Sequence, residues 1–461
     1  MDLNGKRVLV VGLGRSGVSS ALFLKAHGAR VTVSDAKAED ELRDQIPILL
    51  EQGITVETGG HGERTFRGQD LIVVSPGVPV DAPPLTQARA LGEPVIGEVE
   101  LAAQFLPGPI IGITASNGKT TTTTLTGEII KAGGFPTLVG GNIGTPAISL
   151  VADAKPETVI VLEVSSFQLE TIQSFRPKVA VISNITPDHL DRHRTFQAYA
   201  EAKARIFENQ QSSDFAVLNA DDPTCVEMQS RIKAQVFWFS RKREVDQGTW
   251  VCDGEIVFRS SEIRLAVMPV SEIPLKGSHN LENVLAAVCA AVLMGCDPER
   301  IRGAVQAFRA VEHRLEFVAS VRGVQYFNDS KATNVDATIK ALESFPANIH
   351  LILGGKDKGS DYTVLNDLLR QRVKKVYTIG AAAAKIESEI RSAADIVHAE
   401  TLQSALKRAA ATAVAGDVVL LAPACASFDQ FKSYEHRGRV FKDAVRALAE
   451  EANNEDTVSS R

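Results

Sequence analysis

Short apolar runs recur along the chain, and the residues that follow them are mostly glycine or polar. The first run covers residues 7–11 and leads into the spacing G-x-G-x-x-G over residues 12–17, a helical stretch and a second apolar run that ends at Asp35. A third strand is predicted within residues 70–79, and the unit ends near Gly97. This order of strand, helix and strand predicts a Rossmann-like N-terminal domain.

The glycine spacing of this domain has two interpretations. Three glycines in that spacing, with an acidic residue about 20 positions later, are typical of a dinucleotide site. However, a unit that ends near Gly97 is too small for a complete dinucleotide-binding fold. A half-sized unit with Asp35 at a ribose or base would hold a nucleoside diphosphate as readily, so both interpretations stay open at this point.

Residues 109–134 have the pattern of a strand, a phosphate-binding loop and a helix. Backbone N–H groups at a helix N-terminus attract phosphate, Lys119 is placed to reach its β and γ oxygens, and Thr120 is placed to reach Mg²⁺. The usual spacing, G-x-x-x-x-G-K-[ST], would require a glycine at Ile113, so the loop departs from the ordinary form. We predict nucleotide phosphate binding, and a structural turn is the alternative.

Two further apolar runs, residues 158–162 and 179–183, are typical of buried parallel strands. The first ends in Glu163, and the second leads into polar residues. Because ligands bind at the carboxyl ends of the strands in open parallel sheets, Glu163 is a candidate carboxylate for a phosphate-bound metal. The alternative for Glu163 is a helix N-cap or a surface acid. The glycine-rich residues 140–144 would let the backbone approach a ligand closely.

The polar segment 188–193, DHLDRH, raises the question of a metal site. His189 and His193 are four residues apart, a spacing that fits zinc on a helix. A site with a triphosphate suits a hard cation such as Mg²⁺ better, with His189 as an occasional extra ligand. We expect His193 to be exposed or to cap a helix. In the predicted helix 198–209, we expect a lone lysine such as Lys203 to be solvated.

The C-terminal third again alternates strands and helices, and polar loops follow three of its strands. The predicted strands are residues 325–327, 349–353, 375–379 and 417–421. The polar loops are residues 328–334, 354–358 and 423–431. Because parallel strands end at one edge of their sheet, these loops predict a second binding edge.

Length and composition limit the classes of protein. A chain of 461 residues is long enough for about three domains, which we predict at residues 1–97, 98–310 and 311–461. The formal net charge of −6 provides no basic surface for nucleic acid. Five scattered cysteines without a CxxC pair favour neither a disulfide framework nor a zinc ribbon, and fit a reducing cytoplasm. Neither a signal peptide nor a membrane span is predicted.

Taken together and in order, these motifs resemble those of the Mur ligase family, and the resemblance covers essentially the whole chain. The motifs are SNGKT, GGNIG, LEVSSFQLE, PDHLDRH, AEAKARIFEN, SHNLENVLAA, EHRLEF, NDSKATN, LGGKDKG and APACASFDQF. The resemblance implies an α/β chain of three domains. These are a Rossmann-like N-terminal domain for a UDP-sugar, a central P-loop domain for ATP, and a Rossmann-like C-terminal domain for an amino acid.

The pairing of NDSKATN with ACASFDQF is similar to the members of the family that add D-glutamate to UDP-N-acetylmuramoyl-L-alanine. In that reaction the substrate carboxylate attacks the γ-phosphoryl group of ATP, and the amine then attacks the acyl phosphate. The resemblance therefore implies a monomeric, cytoplasmic ligase of peptidoglycan synthesis that uses ATP and two Mg²⁺ ions. Its partners would be small molecules, without nucleic acid or a membrane span. An NAD-dependent oxidoreductase and a nucleotide-binding regulator without turnover are the rival classes.

The resemblance also implies roles for individual residues. ATP would be bound by Ser116, Asn117, Gly118, Lys119, Thr120, Thr121, Thr122, Asn283, Arg314, Asp329 and Lys331. The UDP-sugar would be bound by Gly14, Arg15, Ser16, Gly17, Asp35, Ser75, Asn142 and His189. D-Glutamate would be bound by Thr333, Lys358, Ser427 and Phe428. The metal ligands would be Thr120, Glu163, His189 and a carbamylated Lys203. The catalytic residues would be Lys119, His189, Lys203 and Lys331.

Three positions depart from the family pattern. Ala115 stands where glycine is common, so a backbone that needs positive φ would be strained there. Ala36 replaces an expected threonine, which puts one uracil contact in doubt. Tyr434 replaces an expected phenylalanine, and we expect this change to be conservative.

Overall fold

The computed structural model describes residues 1–62, 64–275, 277–309 and 312–459, the last seven by their backbone only. These residues form two compact units. The first unit comprises Met1–Ile185, Gln197–Ile273 and Glu282–Phe308, and the second comprises Thr186–Phe196, Pro274–Leu281 and Arg309–Arg461. The predicted domain boundary between residues 310 and 311 lies outside the described residues and stays a prediction.

The first unit begins with a parallel five-stranded sheet in the order β3-β2-β1-β4-β5. Its strands are β1 (Arg7–Val11), β2 (Arg30–Ser34), β3 (Thr55–Glu57), β4 (Leu71–Val74) and β5 (Val95–Gly97). The helices of this region are α1 (Arg15–Ala26), α2 (Ile46–Glu51), α3 (Pro83–Ala90) and α4 (Glu98–Ala103). The strand predicted as the third is therefore the fourth. The sequence did not reveal β3, because a run of three partly exposed residues carries no clear apolar pattern.

The same unit contains a nine-stranded sheet in the order β14-β13-β12-β11-β10-β9-β6-β8-β7. Its strands are β6 (Ile110–Thr114), β7 (Thr137–Gly141), β8 (Val159–Glu163), β9 (Val179–Ile182), β10 (Phe215–Asn219), β11 (Gln235–Ser240), β12 (Gly248–Cys252), β13 (Glu255–Arg259) and β14 (Arg264–Pro269). The strands from β11 to β7 are parallel, whereas β12, β13 and β14 form antiparallel hairpins.

The helices that follow β6 along the chain, through residue 307, are α5 (Lys119–Ala132), α6 (Ser166–Leu169), α7 (Leu190–His193), α8 (Phe196–Ala204), α9 (Pro223–Met228), α10 (Ser278–Leu293) and α11 (Pro298–Ala307). Of these, α7 belongs to the second unit, α8 and α10 have their first residues there, and the others belong to the first unit. The predicted helix 198–209 is shorter than expected, because α8 gives way to a 3₁₀ helix, Arg205–Phe207. Other 3₁₀ helices are Glu39–Leu42, Ala147–Leu150, Gln229–Arg231, Val270–Glu272 and Thr363–Leu365.

The second unit is built on a six-stranded sheet in the order β15-β16-β20-β17-β18-β19, in which only β15 is antiparallel. Its strands are β15 (Glu316–Val321), β16 (Val324–Asn328), β17 (Ile349–Gly354), β18 (Val373–Ile379), β19 (Ile396–Glu400) and β20 (Val418–Leu421). Its helices are α12 (Val335–Glu343), α13 (Asn366–Arg372), α14 (Ala383–Ile390), α15 (Leu402–Thr412) and α16 (Tyr434–Ser459). Apolar clusters cover both faces of the sheet.

The alternation of helices with largely parallel sheets confirms the predicted α/β class. The longest helix, α16, has 26 residues and carries many charges. No helix in the part of the chain that the structure describes combines the length and the apolar character needed to cross a membrane.

Candidate active site

The predicted phosphate loop connects β6 to the N-terminus of α5. Gly118 precedes the helix with φ of +83°, a conformation that favours glycine. A Cβ atom on Gly118 would lie 2.2 Å from Oδ1 of Asn283, so this position has no room for a side chain. Asn283 accepts a hydrogen bond from the Thr122 hydroxyl at 3.1 Å. The residue that the resemblance assigns to ATP from a distant part of the sequence therefore lies against the loop.

Glu163 lies beside the loop because β8 is the neighbour of β6, with Ile113 paired to Glu163. The Thr120 hydroxyl donates to Oε2 of Glu163 at 2.7 Å, and Asn142 donates to Oε1 at 2.9 Å. Glu163 is only 2% exposed, so its alternative as a surface acid is wrong. The N-cap of the next helix is Ser165, so its alternative as a helix cap is also wrong. The arrangement places a buried hydroxyl and a buried carboxylate where the phosphate loop enters α5.

Two lysines donate hydrogen bonds to the same carbonyl oxygen in the loop, that of Ala115. Nζ of Lys119 lies 2.8 Å from it and 2.9 Å from the Ser116 carbonyl. Nζ of Lys203 also lies 2.8 Å from it, and 3.2 Å from the Thr114 hydroxyl. The φ angle of Ala115 is not positive, so the strain expected at that position is absent.

Lys203 is 1% exposed, and the expectation of a solvated lysine is therefore wrong. Its ammonium lies 4.8 Å from the centre of the Tyr199 ring, and the Tyr199 hydroxyl lies 3.0 Å from the Ser116 hydroxyl. The physical reason for the burial is that α8 packs this face, including Tyr199, toward the end of β6. Spacing along a single helix does not reveal which face is covered.

The glycine-rich turn after β1 is held from two directions. Asp35 accepts a hydrogen bond from the Leu13 N–H at 2.6 Å, and the Ser75 hydroxyl donates to the Gly12 carbonyl at 2.8 Å. A Cβ atom on Gly17 would lie 1.8 Å from that same carbonyl, which explains the last glycine of the motif. The predicted UDP-sugar residues of this domain therefore surround one turn.

The same turn leads into the N-terminus of α1 and lies beside the residues that follow Asp35. Gly14 is the N-cap of α1, so Arg15 and Ser16 begin the helix and Arg15 is exposed. Ala36 is exposed beside Asp35, whose other oxygen accepts from the Lys37 N–H at 2.9 Å. The turn thus presents a helix N-terminus, a position that favours anions.

In the second unit, the residues assigned to ATP meet around a distorted loop. His313 and Leu315 have φ of +65° and +40°, and Arg314 stands between them. Asp329 accepts from the Leu315 N–H at 3.2 Å. Burial raises the pKa of Asp329 to about 6, although the nearby positive charge of Arg314 acts in the opposite direction. Lys331 donates its N–H to the His313 carbonyl at 3.2 Å, so all three assigned residues belong to one cluster.

Tyr434 adjoins this cluster, and the departure from phenylalanine is structurally mild. The Lys331 ammonium lies 5.0 Å from the centre of the Tyr434 ring, a distance suited to a cation–π contact. A phenylalanine ring would provide the same face.

The loops assigned to D-glutamate follow the neighbouring strands β17 and β20, and a bridge between Lys356 and Ala426 joins them. Ser427 is buried, whereas Phe428 is 68% exposed. Lys358 pairs with Asp188, the acidic residue at the start of segment 188–193. Thr333 lies in the adjacent loop and donates its N–H to the Lys331 carbonyl at 2.8 Å.

His189 and His193 differ in their surroundings. His189 has φ of +54°, and its Nε2 lies 3.5 Å from Oδ2 of Asp188. His193 is only 7% exposed, so the expectation of an exposed histidine is wrong. Segment 188–193 contains no group of three close His, Cys, Asp or Glu ligand atoms among the described residues.

The fold, the phosphate loop and the carboxylate beside it define a P-loop nucleotide-binding protein, and the chain belongs to the Mur ligase family. Models of the Mur ligase middle domain, the MurD-like N-terminal domain and the glutamate ligase domain match residues 113–291, 6–97 and 313–425. The UDP-N-acetylmuramoylalanine--D-glutamate ligase of Koribacter versatilis is 67% identical over 98% of this chain and 99% of its own. The enzyme of that name from Acidobacterium capsulatum is 59% identical over 97% of each chain.

Solved structures support the fold at lower identity. UDP-N-acetylmuramate-alanine ligase MurC of Thermotoga maritima has a TM-score of 0.59 at 19% identity, with 96% of this chain and 99% of that chain covered. MurF ligase of the same organism, solved with ADP, has a TM-score of 0.59 at 19% identity, with 97% and 100% covered. Together with the family models, they confirm the three-domain α/β architecture.

Proposed function

We propose that this protein is an ATP-dependent ligase that joins D-glutamate to UDP-N-acetylmuramoyl-L-alanine in peptidoglycan synthesis. The observation that carries the ATP-dependent step is the 2.7 Å hydrogen bond between Thr120, in the phosphate loop, and the buried Glu163. The relatives named for this reaction provide the identity of the two substrates. From the resemblance we also propose a monomeric, cytoplasmic enzyme that binds no nucleic acid.

The reaction requires activation because a carboxylate is a poor electrophile. The carboxylate of UDP-N-acetylmuramoyl-L-alanine attacks the γ-phosphorus of ATP, and the bond to the β–γ bridging oxygen breaks, which releases ADP and forms an acyl phosphate. The amine of D-glutamate then attacks the carbonyl carbon, loses a proton and displaces inorganic phosphate. Lys119, Arg314 and Lys331 supply positive charge for the phosphoryl oxygens in this proposal.

The donor set beside the phosphate loop fits Mg²⁺. Thr120 and Glu163 offer a hydroxyl and a carboxylate, which are the hard oxygen ligands that Mg²⁺ prefers. They would hold one ion, and a carbamylated Lys203 with His189 would serve a second. When bound, the ions would neutralise phosphate charge. Addition of CO₂ to the neutral amine of Lys203, with loss of a proton, would form a carbamate, which offers the ion anionic oxygens. We propose this modification from the resemblance to the family.

The other substrate groups are assigned by unit. In the first unit, Gly14, Arg15, Ser16, Gly17, Asp35, Ser75 and Asn142 would bind the UDP-sugar. In the second unit, Thr333, Lys358, Ser427 and Phe428 would bind D-glutamate. His189 would bind the UDP-sugar. The pairing of a cationic lysine with a substrate carboxylate would be a charge-assisted contact.

The test is a substrate-dependence assay on the purified full chain. Phosphate release should appear only when ATP, Mg²⁺, UDP-N-acetylmuramoyl-L-alanine and D-glutamate are all present, and the product should contain a new amide. L-Glutamate serves as the matched control for the acceptor amine. Hydride transfer to or from NAD, or nucleotide binding without turnover in the complete mixture, would contradict the proposal.

A further inference from the structure

Asn184 contacts the phosphate loop through both its main chain and its side chain. It follows β9, the strand next to β6, and therefore lies at the same edge of the sheet as the loop. Its carbonyl accepts from the Ser116 N–H at 2.9 Å. Its side-chain Oδ1 accepts from the Asn117 N–H at 2.9 Å, and its Nδ2 donates to the Asn117 carbonyl at 2.9 Å. The side-chain amide of Asn184 thus bonds to both the N–H and the carbonyl of Asn117.

This pairing restricts the way in which the loop can hold phosphate. The N–H groups of Ser116 and Asn117 donate hydrogen bonds to Asn184, so in this conformation they are already paired within the protein. The first turn of an α-helix, by contrast, directs its N–H groups along the helix axis. In α5 that turn begins at Lys119, directly after the left-handed Gly118. Asn184 therefore fixes the residues that precede the turn which faces the phosphate.

We propose that Asn184 is a positioning residue for ATP, which holds Ser116 and Asn117 so that the first turn of α5 meets the phosphates. This inference rests on the proposed function. The hydrogen bonds of Asn184 described above all go to the loop, so we assign it a positioning role and no contact with the nucleotide. Its removal should weaken nucleotide binding first and should leave the binding of D-glutamate unchanged.

Asn219 provides a matched control on the next strand, β10. It is 3% exposed and makes the same two kinds of bond: Nδ2 donates to the Ser183 carbonyl at 2.9 Å, and Oδ1 accepts from the Asp221 N–H at 2.9 Å. Neither bond involves the phosphate loop. Asn219→Ala therefore removes an amide that makes the same two kinds of bond, without the proposed effect on ATP.

The experiment measures ADP binding to the full chain by calorimetry with Mg²⁺, together with the KM values for ATP and D-glutamate and the Tm. Asn184→Ala should raise the Kd for ADP and the KM for ATP about tenfold or more, because two hydrogen bonds that order the loop are lost. The KM for D-glutamate should stay unchanged. Asn219→Ala should leave the Kd for ADP and both KM values unchanged, even if its Tm falls by as much as that of Asn184→Ala.

Wild-type ADP affinity in Asn184→Ala would overturn the inference, and so would an equal loss of affinity in Asn219→Ala. If Asn184→Ala does not fold, Asn184→Asp carries the same test, because it keeps the shape and the acceptor and removes the Nδ2 donor. Failure of the proposed function is distinguishable, because in that case the wild-type chain would lack substrate-dependent phosphate release whatever its affinity for ADP.

Discussion

Lys358 and Asp188 form an ion pair in the second unit, with 3.3 Å between Nζ and Oδ1. The two side chains are 18% and 8% exposed, and Asn334 donates to the other oxygen of Asp188 at 3.1 Å. In this structure the lysine assigned to a substrate carboxylate thus already has a carboxylate partner. A carboxylate of D-glutamate at Lys358 would therefore share or replace Asp188.

Lys358→Met should raise the KM for D-glutamate about 10- to 100-fold, because a hydrogen bond to a charged group contributes about 1.5–3 kcal/mol. The KM for ATP should change far less. Lys356→Met is the control, since Lys356 has the same charge in the same loop and is exposed. Steady-state kinetics with each substrate varied in turn would check this. An unchanged KM for D-glutamate in Lys358→Met would remove Lys358 from that site.

The sequence was most informative where neighbouring parallel strands end together. Glu163 was predicted at the phosphate loop because it ends an apolar run, and the register of β6 and β8 places it there. The same signal was available for Asn184, which directly follows the run at residues 179–183, but a single asparagine in a polar segment has many ordinary explanations.

Burial was the property that the sequence predicted least well. In α8, the buried positions include Tyr199, Ala200, Ala202 and Lys203, so the helix has no single apolar stripe that would announce its covered face. His193 is also buried, at the end of the short helix α7, where four residues are too few to show a periodic pattern. No local pattern marked Arg437 either, although it is fully buried in α16.

Lys203→Ala should lose about 10²–10³-fold or more in kcat if its carbamate serves a metal ion, a loss comparable to that of a single electrostatic group in other enzymes. Formate or acetate should restore part of the activity, because either supplies a carboxylate. Lys119→Ala is the control, since it removes an ammonium from the same carbonyl of Ala115 and should not respond to carboxylic acids. Rates measured across a series of formate concentrations would decide. Full activity of Lys203→Ala without any acid would contradict the carbamate role.

Replacement of Glu98 and of Glu100 by glutamine should change the thermal stability at pH 8 in opposite directions. Burial raises the pKa of Glu98 from 4.5 to about 7, only partly offset by N–H donors such as that of Ile148, and its Oε2 has no hydrogen-bond partner among the described residues. Burial also acts to raise the pKa of Glu100, but donors that include the N–H of Gln173 and the hydroxyl of Ser174 outweigh it and lower the pKa.

A raised pKa means that Glu98 stabilises the fold most below pH 4.5 and loses this contribution, at most about 3 kcal/mol, as the pH rises through 7. Glu98→Gln should therefore raise the Tm at pH 8 and change it little at pH 5. Glu100→Gln should lower the Tm at pH 8, because the lowered pKa of Glu100 contributes stability that is lost only at acid pH. Thermal unfolding of both variants at pH 5, 6.5 and 8 measures this. Parallel shifts of the two variants would contradict the assignment.

Arg437 joins the loop that bears Lys331 to the loop that bears Ser427. Its Nε donates to the Ser330 hydroxyl at 3.0 Å and its Nη2 to the Ser330 carbonyl at 2.8 Å, while Nη1 reaches the Cys425 carbonyl at 3.2 Å. The side chain is 0% exposed, and burial lowers its pKa to about 10. The planar guanidinium of Arg donates to these acceptors at the same time, whereas the single ammonium of a lysine cannot reach all of them.

Arg437→Lys should therefore raise the KM for ATP and the KM for D-glutamate together, and should cost about 1–3 kcal/mol of stability for each buried acceptor left without a donor. Arg372→Lys is the control, because Nη1 of Arg372 donates to the carbonyls of Leu342, Glu343 and Phe345, which lie outside the assigned ligand loops. It should lower the Tm and leave both KM values unchanged. Kinetics and thermal unfolding of the two variants, measured side by side, separate the roles. Arg437→Lys with wild-type KM values for both substrates would show that the two loops keep their positions without the guanidinium.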